Sequence, residues 1–308
     1  MTMGPPLPSF VCHGVTWSTG VPTLLLADPT GPSLRHHDLL GADLAWRVTA
    51  EESYCTGRYG FVDTHRVEPL PCPRHARAAR SGQCPTCQAA DDFRFAHQAH
   101  RGGPVPAALT AYLAQPHWLY LATFAAATTK VGTAAEPRLR SRLDEQGPHQ
   151  ATYLTRAADG RTVRLLEDAL STDLGIAQTV RRTVKIDALA RSDRTPRPGE
   201  HEQVVSRALD LLTGWDIATD PRPWIPPPSA AALTAPETHR QRAIYPHDVR
   251  HATHGLHIDA CLGSCVLARL LDHDDSGHYV VDLALLKGRA IALGAYTSPP
   301  TPTQDLLF

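Results

Sequence analysis

The chain has 308 residues, 42% of them hydrophobic, enough for a substantial core in about two domains. A formal net charge of −1 removes any global electrostatic drive toward nucleic acid or an acidic membrane surface, so only a local basic patch could serve such a partner. No run approaches the ~18 apolar residues of a membrane span, and the opening Met1-Thr2-Met3-Gly4-Pro5-Pro6 has neither the n-region nor the h-region of a secretory signal. The expected location is the cytoplasm, with no membrane partner.

From Val15 to Trp46, short apolar runs such as Thr23 to Ala27 alternate with turn residues such as Pro29-Thr30-Gly31-Pro32, which predicts strands and hairpins. The stretch from Cys265 to Leu293 reads the same way, with Asp274-Asp275-Ser276-Gly277 as its turn. Thr23–Leu44 and Arg269–Ile291 also resemble each other: a Leu-rich strand, a turn with glycine, then Leu39-Leu40-Gly41 against Leu285-Leu286-Lys287-Gly288. That similarity suggests two ends paired into one β-unit around an inserted middle, or a coincidence of Leu-rich strands.

The expected units are a β-rich one over 1–54, a cysteine-rich segment over 55–106, a central domain over 107–191, a helix and Pro-rich linker over 192–240, and a second β-rich unit over 241–308. The cysteine-rich segment ends in a polar connector carrying His97 and His100. In the linker, Val204 to Leu212 is an amphipathic helix candidate, while Pro221 to Pro228 excludes helix or central strand.

Seven cysteines is an odd number. In a chain without an export signal, paired spacing favours thiolate ligation over disulfides. Cys72-Pro73-Arg74-His75 and Cys84-Pro85-Thr86-Cys87 form a C-x2-H…C-x2-C arrangement in which each proline pre-sets the turn that aims two ligands at one point. Four such ligands predict a closed, structural Zn2+ site at Cys72, His75, Cys84 and Cys87. Cys55 is the substitute if His75 turns away, and a redox dithiol at Cys84 and Cys87 is the other reading. His247, His251, His254, His257, Cys261 and Cys265 form a second cluster, but Gly255 and Gly263 interrupt it and a buried or solvated structural role is expected.

The central segment reads β-β-α-β-α: strands at His117–Ala122 and Thr129–Thr133, a helix from Arg138 to Gln146, a strand at Ala151–Thr155 and a helix from Arg161 to Leu170. With the β-rich ends and the cysteine segment, the fold class is α+β. Over Trp118 to Leu170 this order resembles the GIY-YIG domain of homing endonucleases and of the excision-repair incision subunit. Trp118-Leu119-Tyr120 stands for Gly-Ile-Tyr, Lys130-Val131-Gly132 for Tyr-Ile-Gly, Arg142 for the helix arginine and Glu167 for the metal-binding glutamate. The whole chain is more closely similar to an uncharacterised bacterial family that joins a cysteine-rich segment to a KVG-T…R-x-x-[DE]-Q-G signature, here Lys130 to Gly147.

The resemblance implies a GIY-YIG-like fold and a zinc-stapled protein acting on nucleic acid as a metal-dependent phosphodiester hydrolase. Tyr120, Lys130, Arg142 and Glu167 would then be its catalytic set. Lys130, Gly132 and Arg142 would contact substrate, and Glu167 would hold Mg2+ or Mn2+. Such chemistry needs a positioned water, a base, a metal and a cation to spread phosphate charge. The chain departs from the family at Lys130, which replaces a tyrosine, at the longer span from Gly132 to Arg142 with Pro137 in it, and at Gln146, where homing members carry histidine. Lysine serves as a base only if its pKa falls from ~10.4 through burial or a neighbouring cation. As an ammonium it holds phosphate as a point charge. The alternatives are a nucleic-acid-binding module without catalysis and a small-molecule group-transfer enzyme using Lys130. Three lysines stand among 30 basic residues, which makes Lys130 conspicuous.

Overall fold

A computed structural model describes residues 9–79, 82–96, 98–103, 105–234, 242–271 and 277–300, with only the backbone at Ser192. Met1 to Pro6, His97 and the turn residues Asp274 to Ser276 lie outside the described residues. The architecture is mixed α+β and dominated by sheets.

In chain order, β1 (Ser9–Thr16), β2 (Thr23–Ala27), β3 (Leu34–Asp38) and β4 (Asp43–Val48) come first. They are followed by the hairpin β5 (Arg58–Phe61) and β6 (Val67–Leu70), then α1 (Pro85–Ala89) and α2 (Ala107–Leu113). The middle runs β7 (His117–Ala125), β8 (Thr128–Ala135), α3 (Leu139–Gln146), β9 (Gln150–Ala157) and α4 (Gly160–Leu174). After it come α5 (Arg182–Ala190), α6 (Glu200–Gly214), β10 (Arg222–Pro223) and α7 (Ala231–Thr234). The last strands are β11 (Arg242–Ile244), β12 (Thr253–Leu262), β13 (Cys265–Leu270), β14 (His278–Asp282) and β15 (Ala290–Leu293).

Strands from both ends of the chain share one nine-stranded sheet, in the order β11-β14-β13-β12-β4-β15-β1-β2-β3. The joining strand is β4, antiparallel to β12 on one side (Leu44 opposite Leu256) and to β15 on the other (Val48 opposite Ile291). One core packs on this sheet around Trp17, Trp46, Leu44, Leu256, Ile258 and Ile291.

The central sheet has the order β10-β9-β7-β8, all antiparallel. Each of the nine residues of β7 is buried, because both faces of the sheet are covered. Alternation separates the faces. Trp118, Tyr120, Ala122 and Phe124 join a core that reaches Leu262, Leu267 and Val280 of the large sheet. Leu119 and Leu121 pack with Val163 and Leu170 of α4 and with Ala208 and Leu212 of α6. The two sheets therefore enclose one core between them, and α4 and α6 close the far side.

Candidate functional site

Two places in the fold gather chemistry-bearing side chains. The first is the cysteine cluster. Cys55, Cys72, Cys84 and Cys87 are all buried, and their sulfurs lie within 4.8 Å of one another. Cys72 and Cys84 bring their sulfurs to 4.0 Å. Tetrahedral zinc with bonds of ~2.3 Å sets sulfurs ~3.8 Å apart, so the spacing fits a bound metal. The backbone N–H groups of Gly57 and Cys84 donate to the Cys55 sulfur at 3.3 and 3.0 Å, as they would to a thiolate. Hydrogen bonding from the Cys87 backbone holds the Cys84 thiol down to about 6. Burial, followed by the neighbouring cysteines, pushes Cys87 up, and burial pushes Cys55 up against the opposing backbone hydrogen bonds from Cys84 and Gly57. One thiolate thus opposes the next until a cation sits among them, and the cluster can hold a metal ion such as zinc.

His75 is not in this group, and Cys55 takes the fourth place. The reason is local. His75 adopts a left-handed backbone (φ 44) and donates its N–H to Cys72 O at 3.1 Å, which closes the turn. Its ring sits close enough to His13 to depress that histidine's pKa, after burial and Lys287. Cys55 arrives from a chain segment fixed by hydrogen bonds from Tyr54 N–H to Gly288 O and from Cys55 N–H to Ala76 O.

The second place is a cavity of about 350 Å³ beside β8. Tyr120, Lys130, Gly132, Arg142 and Glu167 all line it, joined by Arg164, Gln178 and Lys185. Register explains the first three. Tyr120 lies opposite Gly132 and Ala122 opposite Lys130, so Tyr120, Gly132 and Lys130 occupy one face. The Lys130 ammonium is 5.6 Å from the Tyr120 ring centre. Arg142 comes from α3, which follows the turn at Pro137 and stops at Gly147 in a left-handed conformation (φ 63). Glu167 sits on the inner face of α4 with Val163, Leu170 and Leu174, at spacings that stack residues on one helix side. Asp159 caps that helix by accepting from the N–H groups of Arg161 and Thr162.

Tyr120 is completely buried, and its hydroxyl has no hydrogen-bond partner among the described residues. Burial pushes its pKa up against the opposing pull of Arg142, whose guanidinium approaches without hydrogen-bond geometry. Burial first, then Arg142, brings Lys130 down to about 8 despite Glu167. Lys185 also falls to about 8, through burial and then Lys130. It donates to Gln146 O at 2.8 Å and lies 4.3 Å from the Phe124 ring centre. Glu167 is bonded to Arg164 at 2.6 Å. Among the described residues no second carboxylate lines the cavity, so these residues alone do not build a divalent-cation site, and any such ion would need oxygens from its ligand.

Gly132 is required by this packing. A Cβ there would lie 2.5 Å from Tyr120 Cζ and Oη, and the ring has no exposed space to move into. Gly132→Ala is expected to destabilise the protein by about 1–3 kcal/mol in urea unfolding. In a Tyr120→Leu background the same change should cost clearly less, and equal costs in both backgrounds would reject this contact as the cause.

Sequence reasoning missed Arg164 and Lys185. The scarcity of lysine that singled out Lys130 applies equally to Lys185, and Arg164 stands one helical turn before Glu167. The second His/Cys cluster does not converge. His254 bonds Tyr245 at 2.8 Å and stacks on Trp46, His257 bonds Asp43, and Cys261 and Cys265 are buried. Among the described residues, no helix is long and apolar enough to cross a membrane.

Residues 64–192 match a family model described as "Protein of unknown function (DUF2797)". That stretch includes the cavity residues and three of the four clustered cysteines, with Cys55 before it. No curated protein and no solved structure matches the chain.

Proposed function

We infer that this chain acts on nucleic acid by seating a phosphate in the cavity beside β8. The observation that carries this reading is the meeting of Lys130, Arg142, Arg164 and Lys185 in one recess with a single carboxylate, in a chain of net charge −1. Arginine offers a fork of donors to phosphate oxygens and lysine a point charge. Nucleic acid is the favoured carrier because the element order β7-β8-α3-β9-α4 agrees with the GIY-YIG resemblance drawn from the sequence. We assign zinc to the four cysteines, as a staple that orders residues 55–87.

Phosphodiester hydrolysis is the second reading. It is favoured by Lys130, whose pKa of about 8 leaves part of it neutral near physiological pH, over the Tyr120 ring. The Arg164–Glu167 bond weighs against it, because a metal at Glu167 would have to displace or share that arginine. If Mg2+ or Mn2+ binds there, it would supply charge stabilisation and an activated water. Lys130 and Arg142 would orient the phosphate in either case.

One experiment separates the readings. The full chain is incubated with single- and double-stranded DNA and RNA, with and without Mg2+ or Mn2+, and both binding and cleavage are followed. Binding that Arg142→Ala weakens, without strand scission, supports recognition. Scission lost in Glu167→Ala supports hydrolysis. Failure to bind any nucleic acid would reject both.

A further inference from the structure

The charges in the cavity do not balance. Arg164 is bonded to Glu167, which leaves Lys130, Arg142 and Lys185 facing the same space with no carboxylate in salt-bridge range among the described residues. Lys130 and Lys185 lie against the Tyr120 and Phe124 rings. Aromatic faces attract a cation but do not use its N–H donors, and Lys185 spends one of its three on Gln146 O. Like charges held together away from water are unfavourable unless an anion joins them. The buried Tyr120 hydroxyl, without a partner, is a further donor facing the same cations.

The charge count bears on which phosphate enters. A phosphodiester carries one negative charge, whereas a monoester carries nearly two at neutral pH, its second pKa being about 6. Three unpaired cations suit the second. The recess is bounded by β8, α3, α4, α5 and the segment 178–180, and that segment is tied to the outer edge of β8 by the bond from Val131 N–H to Ala177 O at 3.1 Å.

We propose that the cavity takes the terminal phosphate monoester of a nucleic-acid chain, held by Lys130, Arg142 and Lys185 with the Tyr120 hydroxyl donating to a phosphate oxygen. This rests on the phosphate-binding reading above and narrows it.

Fluorescence anisotropy with the full chain tests it, using one short single-stranded sequence that ends in a 5′-phosphate, a 3′-phosphate or hydroxyls at both ends. A nucleoside 5′-monophosphate serves as competitor. A phosphate on one end is expected to tighten Kd at least about tenfold, ~1.4 kcal/mol. Lys185→Met and Arg142→Gln should each remove most of that gain, bringing the phosphorylated and hydroxyl-ended Kd values of the variant close together. If either variant folds poorly, the comparison of ends in the wild-type chain decides the matter alone. Equal Kd values for all three ends would overturn end recognition and leave the broader phosphate reading standing. Absence of binding to any oligonucleotide would overturn both. Competition by the mononucleotide as strong as by the phosphorylated oligonucleotide would overturn the nucleic-acid end and point to a small phosphorylated molecule.

Discussion

Cys84→Ser is expected to release the metal and unfold the segment around residues 55–87. Cys84 is central to the cluster: its sulfur is 4.0 Å from that of Cys72, its N–H bonds Cys55, and Arg74 reaches its sulfur at 3.8 Å. Structural zinc sites contribute on the order of 10 kcal/mol of apparent binding energy at neutral pH, more than this short stretch of chain can recover from packing. Among the described residues, only Ala76 packs against the cluster beyond the sulfurs as a partly buried hydrophobic residue. Elemental analysis of wild-type protein should give close to one zinc per chain, and Cys55→Ser should lose it as Cys84→Ser does. His75→Ala should retain it, since His75 stands outside the group. Zinc content preserved in Cys55→Ser but lost in His75→Ala would restore the histidine as ligand. A folded, metal-free wild-type protein would defeat the zinc assignment altogether.

Phosphate affinity should fall by about tenfold for each cation lost as pH rises from 7 to 9.5, roughly 1.4 kcal/mol apiece. Lys130 and Lys185 both titrate at about 8, so an anion that prefers the ammonium forms binds best below that value and takes up protons on binding. Stability of the unliganded protein should move the other way. Both lysines have folded-state values below their ordinary 10.5, so between about 8 and 10.5 the unfolded chain holds more protons. Their contribution therefore favours the folded state increasingly as pH rises through that window. Calorimetric titration with a phosphorylated oligonucleotide would measure the first slope. Urea unfolding of wild type against Lys130→Met and Lys185→Met would isolate the second. Affinity independent of pH from 7 to 9.5 would show that neither lysine meets the phosphate.

The pattern of what could be read from the sequence has physical causes. Spacing of two residues is a local property, so Cys72, Cys84 and Cys87 were legible. The fourth place was assigned to His75 with Cys55 as the substitute, because Cys55 stands 17 positions before Cys72 and reaches the cluster through backbone bonds that involve Gly288 at the far end of the chain. That Tyr120 and Lys130 share a face follows from the cross-strand register, which alternation within either strand does not fix. Lys185 escaped notice because its helix, α5, comes to the cavity by folding back after α4. The Arg164–Glu167 bond was also out of reach, because a pair three residues apart on a helix is an ordinary surface feature until burial makes it costly to break. The nine-stranded sheet could be suggested by two similar ends but not sized, since strand count depends on pairing across the chain.

The position of β4 has a consequence for biosynthesis. Both of its sheet neighbours, β12 and β15, are encoded some two hundred residues later, with Arg47 opposite Thr253 and Ala292. At a translation speed of about 5–20 residues per second, β4 leaves the ribosome with two unpaired edges and waits roughly 10–40 s for its partners. During that interval Leu44 and Trp46, both fully buried at the end, have no sheet to enter. Such an edge is a template for pairing with other nascent chains, so a holding chaperone, or slow completion only after release, would govern how much of the protein reaches its folded form.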